Sequence, residues 1–220
     1  MEQTEKKTVG SSITDTIVKF RVVIISVLVA AIVVALVIGL VTFFKNNSIE
    51  KGLTTLDQIE YKYSALDSAS ETFDADVTSI LAEATEFAND STGVVSVRSF
   101  LFAGKVAFDS ENWTEARDAY LSAYEADTEA YTAPIALYNA GICSDELNEL
   151  DAASEYLNKA IVFDNFSLKP RALFNLGRIE EARNSIDSAV AAYEQAAADY
   201  PSSSWAKLSI SRKISLTSEK

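Results

Sequence analysis

The side chains able to do chemistry set narrow limits on what this chain can be. It has no histidine and one cysteine, Cys143. A thiol becomes a nucleophile only when a nearby base or cation favours the thiolate, and no imidazole is present to act as that base. Cys143 is therefore expected to be an inert thiol at a helix–helix seam. One cysteine cannot form an intrachain disulfide, and neither a thiolate cluster nor a histidine-ligated metal can be assembled. Carboxylate pairs remain as candidates for acid–base work. Asp145/Glu146 and Glu180/Glu181 are sequence neighbours. Adjacent residues on a helix point to diverging faces, so neither pair spans the defined gap of a hydrolase dyad. A glycine-rich phosphate loop is also missing. The sequence predicts a protein that is not an enzyme and takes no cofactor, metal or small-molecule substrate.

Charge narrows the partners. The 220 residues carry a formal net charge of −13, against any general nucleic-acid role, because neutralising phosphates needs clustered Lys and Arg. Seven glycines and three prolines, among abundant Ala, Leu, Glu and Ser, suit an all-α chain. Between Val95 and Tyr200 eight basic residues stand against eighteen acidic ones, so where those eight fall matters.

The elements that must position these groups follow in order. Residues 1–21 form a polar tail with Lys6, Lys7, Lys19 and Arg21, expected to be disordered up to about Ser12. Residues 22–44, VVIISVLVAAIVVALVIGLVTFF, contain no charge. At the α-helical rise such a run is about 34 Å long, enough to cross a hydrocarbon core of about 30 Å. No small-residue cleavage site follows in VTFFKNNSIEKG, which predicts an uncleaved signal anchor. Four basic residues precede the span and Lys45, Lys51 and Lys62 follow it, so the positive-inside bias places the N-terminus in the cytoplasm. The rest of the chain is then exported. Residues 45–93 read as a helical hairpin. One helix spans Ser48 to Ala69, with Ile49, Leu53, Leu56, Ile59, Tyr63 and Leu66 on a face, and a second spans Thr72 to Asn89.

Residues 94–201 repeat. Gly104, Gly141 and Gly177 are each preceded four residues earlier by a large apolar residue, Phe100, Leu137 or Leu173. Each is followed twelve residues later by Ala116, Ala153 or Ala189, and four further on by Tyr120, Leu157 or Tyr193. This pattern, clearest in PRALFNLGRIEEARNSIDSAVAAYEQAAADYP, resembles the tetratricopeptide repeat, a helix pair in which small residues let the two helices approach closely. Glycine-to-glycine steps of 37 and 36 residues place extra residues at Asp127–Pro134 and Asp164–Pro170. The aromatic usual three residues after the glycine is replaced by Ala107, Ser144 and Glu180, and the closing proline occurs only as Pro201. Residues 202–220 are expected to cap the stack, with Trp205, Leu208, Ile210 and Ile214 on the last repeat and Lys207, Arg212 and Lys213 in water.

The resemblance implies an all-α solenoid whose concave face is lined by the first helix of each pair. Carried onto this chain, that groove comprises Arg98, Leu101, Phe102 and Lys105, then Ile135, Tyr138, Asn139 and Ile142, then Arg171, Phe174, Asn175 and Arg178. Four of the eight basic residues fall in this set, which implies a locally positive cleft for an acidic or C-terminal carboxylate segment. Lys105, Asn139, Arg171 and Asn175 partly match a chaperone-type carboxylate clamp, with Leu101 where a basic residue belongs. The bland alternative is that these charges pair with Asp109, Asp145, Glu146 and Glu181, leaving Tyr138, Ile142 and Phe174 as an apolar groove for a partner helix.

The order of elements, and AEATEFANDSTGVVSVRSFLFAGKVAFDSENWTEARDAYLSA in particular, resembles the YfgM family of bacterial inner-membrane proteins. That resemblance implies a single-pass inner-membrane protein with a periplasmic C-terminal domain, acting as an accessory of the Sec translocon beside a membrane-anchored chaperone. A structural scaffold in another envelope assembly, such as a motor collar or an outer-membrane assembly complex, is the competing expectation.

Overall fold

The computed structural model describes residues 9–218. The expected disorder falls largely on residues 1–8, outside the described residues; the remainder of that stretch, 9–12, is helical. Among the described residues there are only helices: α1 Val9–Ser64, α2 Phe73–Asp90, α3 Val94–Asp109, α4 Trp113–Ala126, α5 Ala133–Glu146, α6 Leu150–Ile161, α7 Lys169–Ala182, α8 Ile186–Asp199 and α9 Ser204–Ser218. They fall into two units, Met1–Lys51 and Gly52–Lys220.

The first unit holds the apolar part of α1, a helix long and apolar enough to cross a membrane. Its described apolar side chains are exposed: Val22 is 68% and Phe43 65% exposed. The Ser26 hydroxyl is satisfied within the helix, donating to the Val22 carbonyl at 2.8 Å. Separate helices before and after residues 45–47 were expected, but α1 runs through them, since Lys-Asn-Asn contains neither Gly nor Pro to stop it.

In the second unit, α1 ends at Ser64, five residues before the predicted Ala69. Local hydrogen bonds make the stop. Asp67 Oδ1 accepts from the Ala69 amide at 2.9 Å and Ser70 Oγ from the Thr72 amide at 3.2 Å, the side-chain turns that compete with helix. Leu56 and Ile59 at the end of α1 pack on Val77, Ile80 and Ala84 of α2 and on Phe102 and Val106 of α3.

Helix pairs α3/α4, α5/α6 and α7/α8 then stack. The repeated glycines mark where the helices of each pair meet. A Cβ on Gly104 would stand 2.8 Å from the Tyr120 ring, one on Gly141 3.0 Å from the Leu157 side chain, and one on Gly177 would overlap the Tyr193 ring. Ala116, Ala153 and Ala189 are all fully buried. The turn inside each pair is also repeated. Glu111, Asn148 and Asn184, each seven residues after the glycine, adopt φ of 56°, 58° and 60°. This left-handed residue lets the next amide reach back to the helix: Asn112 to the Ala107 carbonyl (2.9 Å), Glu149 to Ser144 (2.8 Å) and Ser185 to Glu180 (2.8 Å).

The last helix departs from expectation. In α9 the buried residues are Ala206 and Ser209, whereas Leu208, Ile210 and Ile214 are exposed. Trp205 packs on Phe174 of α7 as expected, and Arg212, exposed as expected, and Lys213, half-buried, pair with Glu181 and Glu194. Charge explains the reversal: α7 and α8 present carboxylates to α9, and only its basic edge matches them.

Candidate functional site

The residues expected to line a groove lie on α3, α5 and α7, the first helix of each pair, but do not converge on one pocket. At one end, Arg98, Leu101 and Lys105 line a depression of about 530 Å3 with Glu60, Tyr63 and Ser64 of α1 and Thr132 before α5. At the other, Phe174 and Arg178 border a depression of about 570 Å3 with Glu181, Ala182 and Arg212. Between them lie Asn139 and Ile142, both half-buried, and the Tyr138–Arg171–Asn175 cluster.

The electrostatics of this face are largely neutralised. Lys105 Nζ lies 2.5 Å from Asp109 Oδ2 and 5.3 Å from the centre of the Tyr63 ring. Arg178 is 2.9 Å from Asp145, and Arg98 lies within 3.9 Å of both Asp57 and Glu60. Arg171 differs. Its guanidinium is 5.8 Å from the Tyr138 ring centre and 5.4 Å from that of Trp205, and it pairs with no carboxylate among the described residues. It is exposed and held by two aromatic faces.

Two groove candidates do not present themselves as drawn. Tyr138 is 4% exposed and Asn175 8% exposed. Tyr138 packs against Phe166, and its hydroxyl accepts a hydrogen bond from Asn175 Nδ2 at 3.0 Å. They form the floor under Arg171 instead of contacting solvent. Burial raises the Tyr138 phenol above its ordinary range, opposed by Arg171 and the Asn175 hydrogen bond. Phe174, half-buried, tilts against Tyr193 and Trp205 at ring separations of 5.9 and 5.5 Å.

Tyr63 and Trp205 belong to this face although the repeat pattern does not point to them. Tyr63 donates to Asp109 Oδ2 at 3.1 Å and meets Phe102 edge-on. Both residues come from the flanking helices, outside the register of the repeat, so their only sequence signal is a large aromatic on a terminal helix. Beside them Glu181 is shared between Tyr193, whose hydroxyl donates at 2.5 Å, and Arg212 at 2.5 Å. Burial pushes the Glu181 carboxyl up, but hydrogen bonds from Arg212 and Tyr193 outweigh it and hold it below its ordinary value. Cys143 is fully buried among Ala107, Ala116, Tyr120 and Ala140, and burial pushes its thiol up to about 12. A thiol in that state does not ionise at neutral pH. Among the described residues no three His, Cys, Asp or Glu side chains gather as metal ligands do.

The family model of the Tetratricopeptide repeat matches residues 103–167 and 161–204. The fold is a tetratricopeptide-repeat solenoid. A "TPR repeat-containing protein" of Treponema pallidum (strain Nichols) is 36% identical over 112 residues, 51% of this chain. The chain spans about half, 47%, of that relative's length. Two crystal structures of MamA share the fold at 20% identity. One covers 77% of this chain and 84% of its own at a TM-score of 0.58, the other 67% and 85% at 0.50. Tetratricopeptide solenoids bind other proteins.

Proposed function

We propose that this chain is a membrane-anchored protein-interaction module that captures partner proteins on the face of α3, α5 and α7. The observation that carries this reading is Arg171: an exposed guanidinium fixed between Tyr138 and Trp205, with no carboxylate of its own among the described residues. A planar cation held in place loses little entropy on pairing bidentately with a partner's carboxylate. Leu101, Ile142 and Phe174 supply half-buried apolar surface beside it, while Arg98, Lys105 and Arg178 are pre-paired and act as rim.

The apolar stretch 22–44 serves as an uncleaved anchor, with the N-terminus cytoplasmic and the solenoid periplasmic. The resemblance of the sequence to the YfgM family supports a place for the module beside the Sec translocon and its membrane-anchored chaperone at the bacterial inner membrane. The full chain, extracted in mild detergent, should co-purify with Sec channel subunits. Arg171→Glu should cut that recovery roughly tenfold without changing helicity, as loss of a charge-assisted pair would. Recovery of unrelated envelope machinery alone would contradict the translocon assignment. Unchanged recovery with Arg171→Glu would contradict the binding face.

A further inference from the structure

Two surfaces away from the proposed binding face lack partners, and they complement each other. The first is a groove of about 750 Å3 between α2 and α4, lined by Leu81, Phe100 and Ala119. Its walls carry Glu86, Asp90, Glu115 and Asp118, of which only Asp118 is in an ion pair, with Arg117, among the described residues. Small side chains, Ala82 on α2 and Ser122 on α4, keep it open to an occupant. The second surface is the outward side of α9, where Ile210, 42% exposed, and Ile214, 57% exposed, stand one turn apart in line with Lys207, while Leu208, 49% exposed, lies on the opposite flank. The terminal unit of a repeat stack normally turns a polar side outward, because an uncovered aliphatic patch favours association.

Charge identifies what fits. Ser204–Ser218 contains no Asp or Glu but carries Lys207, Arg212 and Lys213. Lys207 is exposed and has no carboxylate partner among the described residues. On a chain of net charge −13, two copies repel over most of their surface, and α9 is the helix that can enter an acidic groove without like-charge cost. A helix that lays a short apolar stripe in a groove with an oppositely charged rim follows a recurrent recognition mode.

We propose that α9 of one copy docks in the α2–α4 groove of a second copy, Ile210 and Ile214 against Leu81, Phe100 and Ala119 and Lys207 against the carboxylate rim. The contact is heterologous: the two surfaces lie at opposite ends of the repeat stack, so each added copy leaves one groove and one α9 free. Copies held in one membrane then form short head-to-tail rows.

The test uses the full chain in its membrane. Cysteines are introduced at Ala82→Cys and Ser211→Cys, positions that leave the aliphatic patch and the carboxylates intact, and are joined with a short bis-maleimide. Cys143 is buried with its thiol raised to about 12, and stays silent. The double variant should give a ladder of dimer, trimer and higher species. A mixture of the two single variants should give dimers only, and either single variant alone nothing. Lys207→Glu or Glu115→Lys should each reduce the ladder roughly tenfold, and the two together should restore it. No product from the double variant would overturn the proposal. So would self-crosslinking of Ser211→Cys alone, which would mean α9 pairs with α9. Protection of Ser211→Cys from a water-soluble maleimide with no ladder would assign α9 to the bilayer surface, and overturn it too.

Discussion

In the second repeat, the position three residues after the glycine is Ser144, fully buried, with a hydroxyl that finds no partner among the described residues. In the third repeat the same position is Glu180, also buried, but accepting from Ser154 Oγ at 2.5 Å and from Arg183 Nη1 at 2.7 Å. Arg183 continues to Asp151 at 2.7 Å, tying α7 to α6 of the preceding pair. A site that the tetratricopeptide pattern gives to an aromatic thus becomes a small void-filler in one copy and a buried ion pair in the next. Around it the glycine–alanine–large-residue seam is unchanged. Helix spacing in this stack is set by the seam, and the neighbouring position is free to take whatever the local pairing can satisfy.

Breaking the tightest seam should therefore cost most. Gly177→Ala drives a methyl into the Tyr193 ring, which is fully buried and anchored to Glu181. We expect a loss of about 3 kcal/mol in denaturant unfolding, the upper part of the range for overpacking. Gly141→Ala meets the Leu157 side chain at 3.0 Å and the Ala153 carbonyl at 3.3 Å, a milder overlap, and should cost about 1 kcal/mol. Equal losses would mean the third seam is no tighter than the second. Next comes the ion pair. Arg183→Met leaves the Glu180 carboxylate buried with one hydroxyl donor, at a cost of about 2 kcal/mol, discounted because Arg183 is partly exposed. The smallest effect has the opposite sign. Ser144→Ala removes an orphan hydroxyl and should stabilise the second repeat by roughly 0.5–1 kcal/mol. A destabilised Ser144→Ala would show that the hydroxyl has a role.

The third repeat should also respond to pH. Glu181 has its folded value held below the ordinary carboxylate range, chiefly by Arg212 once burial is overcome. A group depressed on folding contributes stability above its unfolded value, about 4.3, and loses it as pH falls through the folded value. Thermal melts should show α9 loosening as pH drops below about 4, and Arg212→Gln should flatten that dependence. A melt equally acid-sensitive in Arg212→Gln would assign the effect to other carboxylates.

Much of this fold was legible in the sequence because its determinants are local and periodic. Gly104, Gly141 and Gly177 and their partners repeat at fixed offsets, and the apolar run within α1 is continuous. The end of α1 at Ser64 was not legible, since Asp67 and Ser70 override an apolar periodicity that continues to Leu66. Nor was the left-handed turn at Glu111, a residue type that gives no sign of positive φ, although Asn148 and Asn184 offer one. The orientation of α9 was misread because its hydrophobic pattern points outward while its charges answer Glu181 and Glu194. At the candidate site, residue type placed four cations on one face, but their pairing depends on Asp57, Glu60, Asp109 and Asp145. Only three-dimensional proximity separates Arg171 from Arg98, Lys105 and Arg178.

The most direct test of the central claim is site-specific photocrosslinking in the intact membrane. A photoreactive side chain is placed at Leu101 or Phe174 on the α3–α5–α7 face, and at Glu155 on the exposed side of α6. The account predicts crosslinks to a Sec channel subunit or its membrane-anchored chaperone from Leu101 and Phe174, and none from Glu155. Capture from Glu155 alone, or no protein captured from either face position, would contradict it.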